Sequence, residues 1–367
     1  MTNGRKAGAN EALPGGVTAI LAVNAGSTSL KLSLVADDGS SEAVASLEDV
    51  PHGVAAVGHR VVHGGSRFRD PTVIDGEVEQ AIAELTRLAP LHNAPALAGI
   101  EAARRVLPDV PHVAVFDTAF HATLRDEAAV YPVPRRWAEE WGVRRFGFHG
   151  LSVAWCAERA PTLLGRRRHG LRLVVCHLGG GCSVTGVSDG RSVDTTMGFS
   201  PLEGVAMATR SGSIDPGALL YVLRERSLSI DQLDHVLNEE SGLLGLSGTS
   251  ASVRDLEAAA EQDPQARQAL DVYGHRIAGA VAAMAASLGG LDALVFTAGV
   301  GEGSPATRAD VCGRLAFLGV ALDSEANEAA EPDCQIAAPD SLVRVLVVKA
   351  REDLVLARAV RALLYGG

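Results

Sequence analysis

Two stretches decide the fold: Val17–Val35, VTAILAVNAGSTSLKLSLV, and Leu171–Val187, LRLVVCHLGGGCSVTGV. Each opens on an apolar run, breaks at glycine and small polar residues, and resumes with alternating apolar and polar positions. That pattern reads as a strand, a tight turn and an antiparallel partner. Its appearance in both halves points to a duplicated unit. Outward from the first copy, the apolar run Val54–Val62 ends at His63-Gly64-Gly65, and His112–Phe116 is a buried strand ending in Asp117. Between them, Val78, Ile82 and Leu85 have helical spacing behind Asp75 as N-cap, and Leu97–Leu107 repeats the pattern up to Pro108. Outward from the second copy, helices are expected over 216–226, 230–239, 265–288, 308–318 and 352–364. Strands are expected over 291–296 and 342–348. Strands and helices alternate, so the class is α/β. Two related halves facing a cleft would bring both turns to one ligand.

Composition sets limits on the function. A net charge of −11 over 367 residues argues against nucleic-acid binding driven by overall charge. Anion binding must then come from local arginines and backbone N–H groups. Cysteines stand at 156, 176, 182, 312 and 334, with no Cys-x-x-Cys, so free thiols are expected rather than a disulfide framework or a zinc site. Residues 1–16 are small and polar and read as a disordered tail without a signal sequence. The apolar stretch at 277–288 is broken by glycine and too short to span a bilayer. A cytoplasmic protein with no membrane association is expected.

Several segments carry candidate chemistry. Asn24-Ala25-Gly26-Ser27-Thr28-Ser29-Leu30-Lys31 offers backbone N–H groups and hydroxyls to an anion, Lys31 a charge, and Asn24 an oxygen for hydrated magnesium. It also reads as an ordinary turn. Arg60 follows an apolar run, where a guanidinium is either paired internally or aimed at a carboxylate or phosphate. Asp117, at the end of a buried strand, is placed either as a ligand-facing carboxylate or as a helix cap. Arg144, Arg145 and His149 are candidate anion ligands, with Phe146 and Phe148 beside them. His177-Leu178-Gly179-Gly180-Gly181 is a glycine-rich turn. The stretch Met197–Gly204 runs on to Thr209-Arg210-Ser211-Gly212, and Thr297-Ala298-Gly299-Val300-Gly301-Glu302 opens a helix, which favours phosphate. No Walker A motif or dinucleotide fingerprint occurs.

Taken in order, NAGSTSLK, GHRVVHGG, LAPLHNAPAL, VFDTAFH, RRFGFHG, HLGGG, TTMGFSPLEG, TRSG, FTAGVGE and the final Arg-Glu-Asp-Leu resemble the acetate kinase family across residues 20–364. The resemblance implies two duplicated ribonuclease H-like domains around an interdomain cleft, as in sugar kinases and actin. Domains are expected at 17–118 with 353–367, and at 119–352 with the nucleotide site. It implies reversible phosphoryl transfer from ATP to acetate. Arg60, Arg210, Asp117 and His149 would be catalytic, and Arg60 would bind the substrate carboxylate. Val62, Leu91, Phe148 and Pro201 would hold its methyl group. Lys31, the His177–Gly181 run, Ser252, Val253, Arg254, Gly299, Val300, Gly301, Glu302 and Gly303 would seat the nucleotide. Asn24 and Glu352 would hold Mg2+ or Mn2+, and a homodimer is implied. Arg60→Ala and Arg210→Ala are both expected to fold normally and lose activity.

The departures from the family cluster on nucleotide-seating positions. Gly180 and Gly303 replace asparagines, Ser252-Val253-Arg254 replaces Asp-Phe-Arg, and Lys349-Ala350-Arg351 replaces Pro-Thr-Asn. Ser213 stands for an aspartate, and a long helical stretch is missing between Leu47 and Val54. The donor (ATP, GTP or pyrophosphate) therefore stays open. So do a propionate or butyrate-type acceptor and a non-catalytic nucleotide-sensing descendant.

Overall fold

The computed structural model describes residues 19–25, 30–88 and 90–366, with side chains for all of these except 88, 90 and 91. The tail at 1–16, the turn at 26–29 and the side chain of Leu91 lie outside the described residues. The chain forms two compact units, one ending at Ala119 and resuming at Arg351, the other running over Phe120–Ala350.

The first unit holds β1 (Ala19–Ala25), β2 (Leu30–Val35), β3 (Ser41–Val44), β4 (Val54–Val61), β5 (Thr72–Val73) and β6 (His112–Phe116). Their order in the sheet is β3-β2-β1-β4-β6-β5. β1 is antiparallel to β2 and parallel to β4, which is parallel to β6. β1 and β6 are buried almost throughout, as a central strand covered on both faces must be. One cover is the helix Gly76–Leu85, whose N-cap Asp75 accepts the Val78 N–H, together with the helix Pro90–Val106. Ile82, Ala96 and Ile100 of these helices pack with Phe116 and Val61 of the sheet. The second of them starts seven residues before its periodic apolar positions, because LHNAPAL has too few apolar residues to mark a helix. The final helix, Glu352–Tyr365, also lies on this sheet. A Cβ at Gly58 would fall 2.0 Å from a Leu356 methyl, so glycine there permits the close approach.

The second unit holds β7 (Arg172–Leu178), β8 (Cys182–Ser188), β9 (Arg191–Thr195), β10 (Ala293–Thr297), β11 (Cys334–Gln335) and β12 (Arg344–Val347). Their order is β11-β12-β10-β7-β8-β9. Read from the other end, this repeats the first sheet strand for strand, including an antiparallel edge strand that precedes its partner in sequence. Both quoted stretches thus occupy the same place in a repeated design. Helix Gly150–Leu163 packs Val153, Cys156, Ala157 and Ala160 onto Val175, Val295 and Leu346. Helix Pro264–Leu288 is capped by Asp263, with glycine in the left-handed conformation at its far end. All five cysteines are free. Among the described residues no helix is long and apolar enough to cross a membrane.

Candidate active site

Three parallel strands of the first unit end side by side. β1 pairs Val23 with His59 of β4, and β4 pairs Arg60 with Val115 of β6. This register brings Asn24, Arg60 and Asp117 together at the carboxyl edge of the sheet, where α/β folds present ligand-facing groups. Arg60 Nε donates to the Asp117 carboxylate at 3.1 and 3.0 Å, and Nη2 donates to Oδ2 at 2.5 Å. Nη1 donates to Asn24 Oδ1 at 3.0 Å and lies 3.4 Å from Glu352 Oε2. Asn24 Nδ2 donates to that same Glu352 oxygen at 2.7 Å. Glu352 opens the final helix, where the backbone dipole favours a carboxylate. The Asp117 side chain is wholly buried, whereas 13 % of Arg60 and 14 % of Glu352 stay exposed. Burial alone would depress the Arg60 pKa, but the carboxylates of Asp117 and Glu352 outweigh it and hold it above its ordinary value. Two buried groups shape the loop beyond: Asn93 exchanges 3.0 Å hydrogen bonds with the His63 N–H and C=O, and Thr118 Oγ1 accepts the Gly64 N–H.

The equivalent edge of the second unit carries a different set. β7 extends through His177 and Leu178, so the turn is only Gly179–Gly181, and Leu178 is a fully buried core residue. A Cβ on Gly181 would lie 2.7 Å from Arg210 Nη2 and 3.2 Å from His149 Nε2. The glycine thereby admits a guanidinium and an imidazole beside the turn's backbone, a suitable cradle for an anion. Arg210 Nη1 donates to the Pro201 carbonyl at 2.8 Å, and among the described residues it forms no carboxylate salt bridge. Burial lowers its pKa from the ordinary arginine value, opposed by Cys182 and Glu239. The His149 and His177 rings stack with centroids 4.0 Å apart. Their Nδ1 atoms lie 3.0 and 2.8 Å from the hydroxyls of Ser183 and Ser152.

His149 itself has a left-handed backbone, φ 57°, two residues after Gly147 at φ 76°. His121 braces this turn. Its Nε2 lies 2.9 Å from the Phe148 carbonyl and its Nδ1 lies 2.8 Å from Ser192 Oγ. Burial holds the His121 pKa down to about 4, so the ring is neutral and donates to that carbonyl. Arg145, read from sequence as an anion ligand, is instead an internal staple. Its Nη1 donates to the carbonyls of Thr195, Thr196 and Met197, and its Nη2 donates to Glu203 at 2.8 Å. Tyr131 donates to the other Glu203 oxygen. Arg144 Nε reaches the Arg145 carbonyl at 3.5 Å.

The segment read as an adenosine loop is a short helix, Ala298–Gly303. Glu302 Oε1 accepts the N–H groups of Ala298 and Ala350 at 3.0 and 2.9 Å, so this oxygen is committed to backbone. Beneath it, the fully buried Arg308 donates to the carbonyls of Gly301 and Glu302 at 3.0 and 2.8 Å. A Cβ would meet nothing within 4 Å at Gly180, Gly299 or Gly303, while Gly301 sits against Phe296. Ser252 caps the helix Val253–Ala259 through the Asp255 N–H, Val253 is buried and Arg254 is exposed. Lys31 is exposed on β2, opposite Asn24. Of the expected methyl-pocket residues, Val62 is buried in the first unit, and Phe148 and Pro201 in the second. Asn93, Ser152, Ser183 and Arg308 carry no sequence signal beyond polarity within apolar surroundings. Only their burial and partners reveal them.

The acetokinase family model matches residues 45–358. An acetate kinase of Gloeobacter violaceus is 54% identical over 310 residues, covering 84% of this chain and 76% of that protein. One of Trichormus variabilis is 50% identical, covering 87% and 78%. Among solved structures, a propionate kinase from Francisella tularensis superposes with TM-score 0.86 at 33% identity, covering 93% of this chain and 98% of the other. Acetate kinase from Porphyromonas gingivalis gives 0.84 at 32%, covering 95% and 100%. With this match running from the residue after β3 into the final helix, the chain belongs to the acetokinase family.

Proposed function

We propose that this chain is an acetate kinase, moving the γ-phosphoryl of ATP reversibly onto acetate to give acetyl phosphate and ADP. The observation that carries the reading is the pair of contrasting arginines. Arg60 is oriented by a buried carboxylate. Arg210, with no carboxylate salt bridge among the described residues, lies beside His149 and a glycine turn. Acetate is ionised at neutral pH and needs no strong general base. Catalysis then reduces to in-line placement and charge stabilisation. Arg60 binds the acetate carboxylate, and Asp117 fixes its fork. Arg210 and His149 neutralise the oxygens of the transferring phosphoryl group, and the Gly179–Gly181 turn supports the donor's phosphates. Val62, Leu91, Phe148 and Pro201 exclude water around the methyl group. Lys31, His177 and the Ser252–Arg254 and Gly299–Gly303 segments complete the nucleotide site.

Asn24 and Glu352 present one amide oxygen and one carboxylate, both hard donors. That set is too small for a resident ion, and among the described residues no cluster of three or more His, Cys, Asp or Glu offers another site. It fits Mg2+ that arrives with the nucleotide and keeps most ligands from water and phosphate. When bound, such an ion supplies positive charge to the donor's phosphates. The protein is assigned to the cytoplasm as a homodimer. In support of the dimer, helices Pro216–Glu225 and Ile230–Glu239 bury no residue fully and leave Leu220, Tyr221 and Ile230 exposed.

The test is acetyl phosphate formation trapped as hydroxamate, with ATP, GTP and pyrophosphate as donors and acetate and propionate as acceptors. Turnover with ATP and acetate is expected. No product with any donor refutes the assignment. One added methylene changes binding by about 1–3 kcal/mol, so propionate is expected to react at higher KM.

A further inference from the structure

We propose that Ser183 and Ser152 are positioning residues that set the tautomers of His149 and His177, so that each imidazole carries its proton on Nε2. This rests on the reading that His149 acts on the transferring phosphoryl group. Both hydroxyls are fully buried, Ser183 on β8 and Ser152 in the helix Gly150–Leu163. Among the described residues, each has a single hydrogen-bond partner: His149 Nδ1 at 3.0 Å for Ser183 and His177 Nδ1 at 2.8 Å for Ser152. A serine hydroxyl holds one donor and two acceptor sites. If Nδ1–H donated to the hydroxyl, the O–H would be left buried without an acceptor, a full desolvation penalty. If the hydroxyl donates to Nδ1, only lone pairs go unused. The second arrangement is favoured, and it places the ring proton on Nε2. For His149 that atom is the one beside Gly181 and Arg210. The imidazole then presents an N–H donor toward the anion cradle without needing a positive charge, and its stacked neighbour is fixed in the same way. The opposite tautomer would present a lone pair to phosphoryl oxygens and repel them.

The tautomer is read directly by long-range 1H–15N correlation spectra of protein labelled at histidine, assigned with His149→Gln and His177→Gln. Nε2–H signals are expected for both rings in the unaltered protein. Ser183→Ala is expected to shift His149 toward the Nδ1–H form and leave His177 as it was. Ser152→Ala does the reverse. In the hydroxamate assay Ser183→Ala is expected to lower kcat on the order of 10- to 100-fold, the usual range for loss of an orienting partner, with KM for acetate unchanged. Ser183→Thr, which keeps the hydroxyl, restores both tautomer and rate. A Nδ1–H signal for His149 in the unaltered protein overturns the proposal, as does an unchanged His149 tautomer in Ser183→Ala. The spectra are independent of turnover. Absence of acetyl phosphate alongside Nε2–H rings would count against the kinase assignment and not against the tautomer. Should Ser183→Ala fail to fold, the unaltered protein and Ser152→Ala still decide.

Discussion

The proposed reaction gives Arg60 and Arg210 parallel tasks, yet their surroundings make them respond differently to removal. Arg60 neutralises a wholly buried carboxylate, with Nε and Nη2 both on Asp117. Arg60→Ala takes the guanidinium away from that charge, and breaking such a buried pair costs about 3–5 kcal/mol. The expectation that this variant folds normally is therefore replaced by one of marked destabilisation in urea titration. Adding Asp117→Asn should recover much of the loss, because the buried group is then neutral. Arg210 holds one carbonyl, so Arg210→Ala should cost only about 1 kcal/mol. Its kcat should nevertheless fall on the order of 10³-fold, the low end for a phosphoryl-stabilising arginine. A variant set in which Arg60→Ala is as stable as Arg210→Ala would contradict the buried pairing.

At the scale of elements, the strand ends that build the site could be read from sequence. Asn24 and Asp117 each close a run of apolar residues and Arg60 stands near the end of another, and parallel strands place such ends on one edge. The carboxyl end of β7 was harder to read: His177 and Leu178 look like part of a glycine loop, but Leu178 is core and the strand continues through both. The braces could not be read at all. Ser183 meets His149 across 34 residues, Asn93 meets His63 across 30, and Glu302 reaches Ala350 across 48. No local period encodes such pairings. Glu302 illustrates what this changes. Sequence assigns it to nucleotide contact, and in the fold its Oε1 also ties the start of the Ala298–Gly303 helix to the segment after β12. Glu302→Ala should loosen that helix, raising KM for ATP several-fold while leaving KM for acetate unchanged. Glu302→Gln keeps an accepting oxygen and should stay near normal. Equal effects on both substrates would show that the brace acts on more than the helix it touches.

Across the whole molecule, buried neutral histidines tie stability to pH. In the first unit His59 and His112 face each other, Nε2 to Nδ1 at 2.9 Å, and His112 Nε2 lies 2.9 Å from the Leu107 carbonyl. With His112 Nε2–H donating to that carbonyl, His112 Nδ1 accepts from His59 Nε2–H, and both rings are held neutral. Burial, with His112 adding to it, pushes the His59 pKa from 6.5 to about 3. In the second unit, burial moves His121 from 6.5 to about 4. Both folded values lie below the unfolded one, so the unfolded chain binds more protons as pH falls. The contribution of these groups is complete above pH 6.5 and is lost as pH drops through the window down to about 4 for His121 and about 3 for His59. Each depressed group steepens the decline by up to about 1.4 kcal/mol per pH unit within its window. Urea titrations from pH 7 to 4.5 should show stability decreasing steadily. His59→Gln, which removes the titrating ring, should flatten the part of that slope belonging to the first unit, even if it lowers stability at pH 7. A His59→Gln protein with the same pH slope as the unaltered chain would mean that the buried pair does not control the acid response.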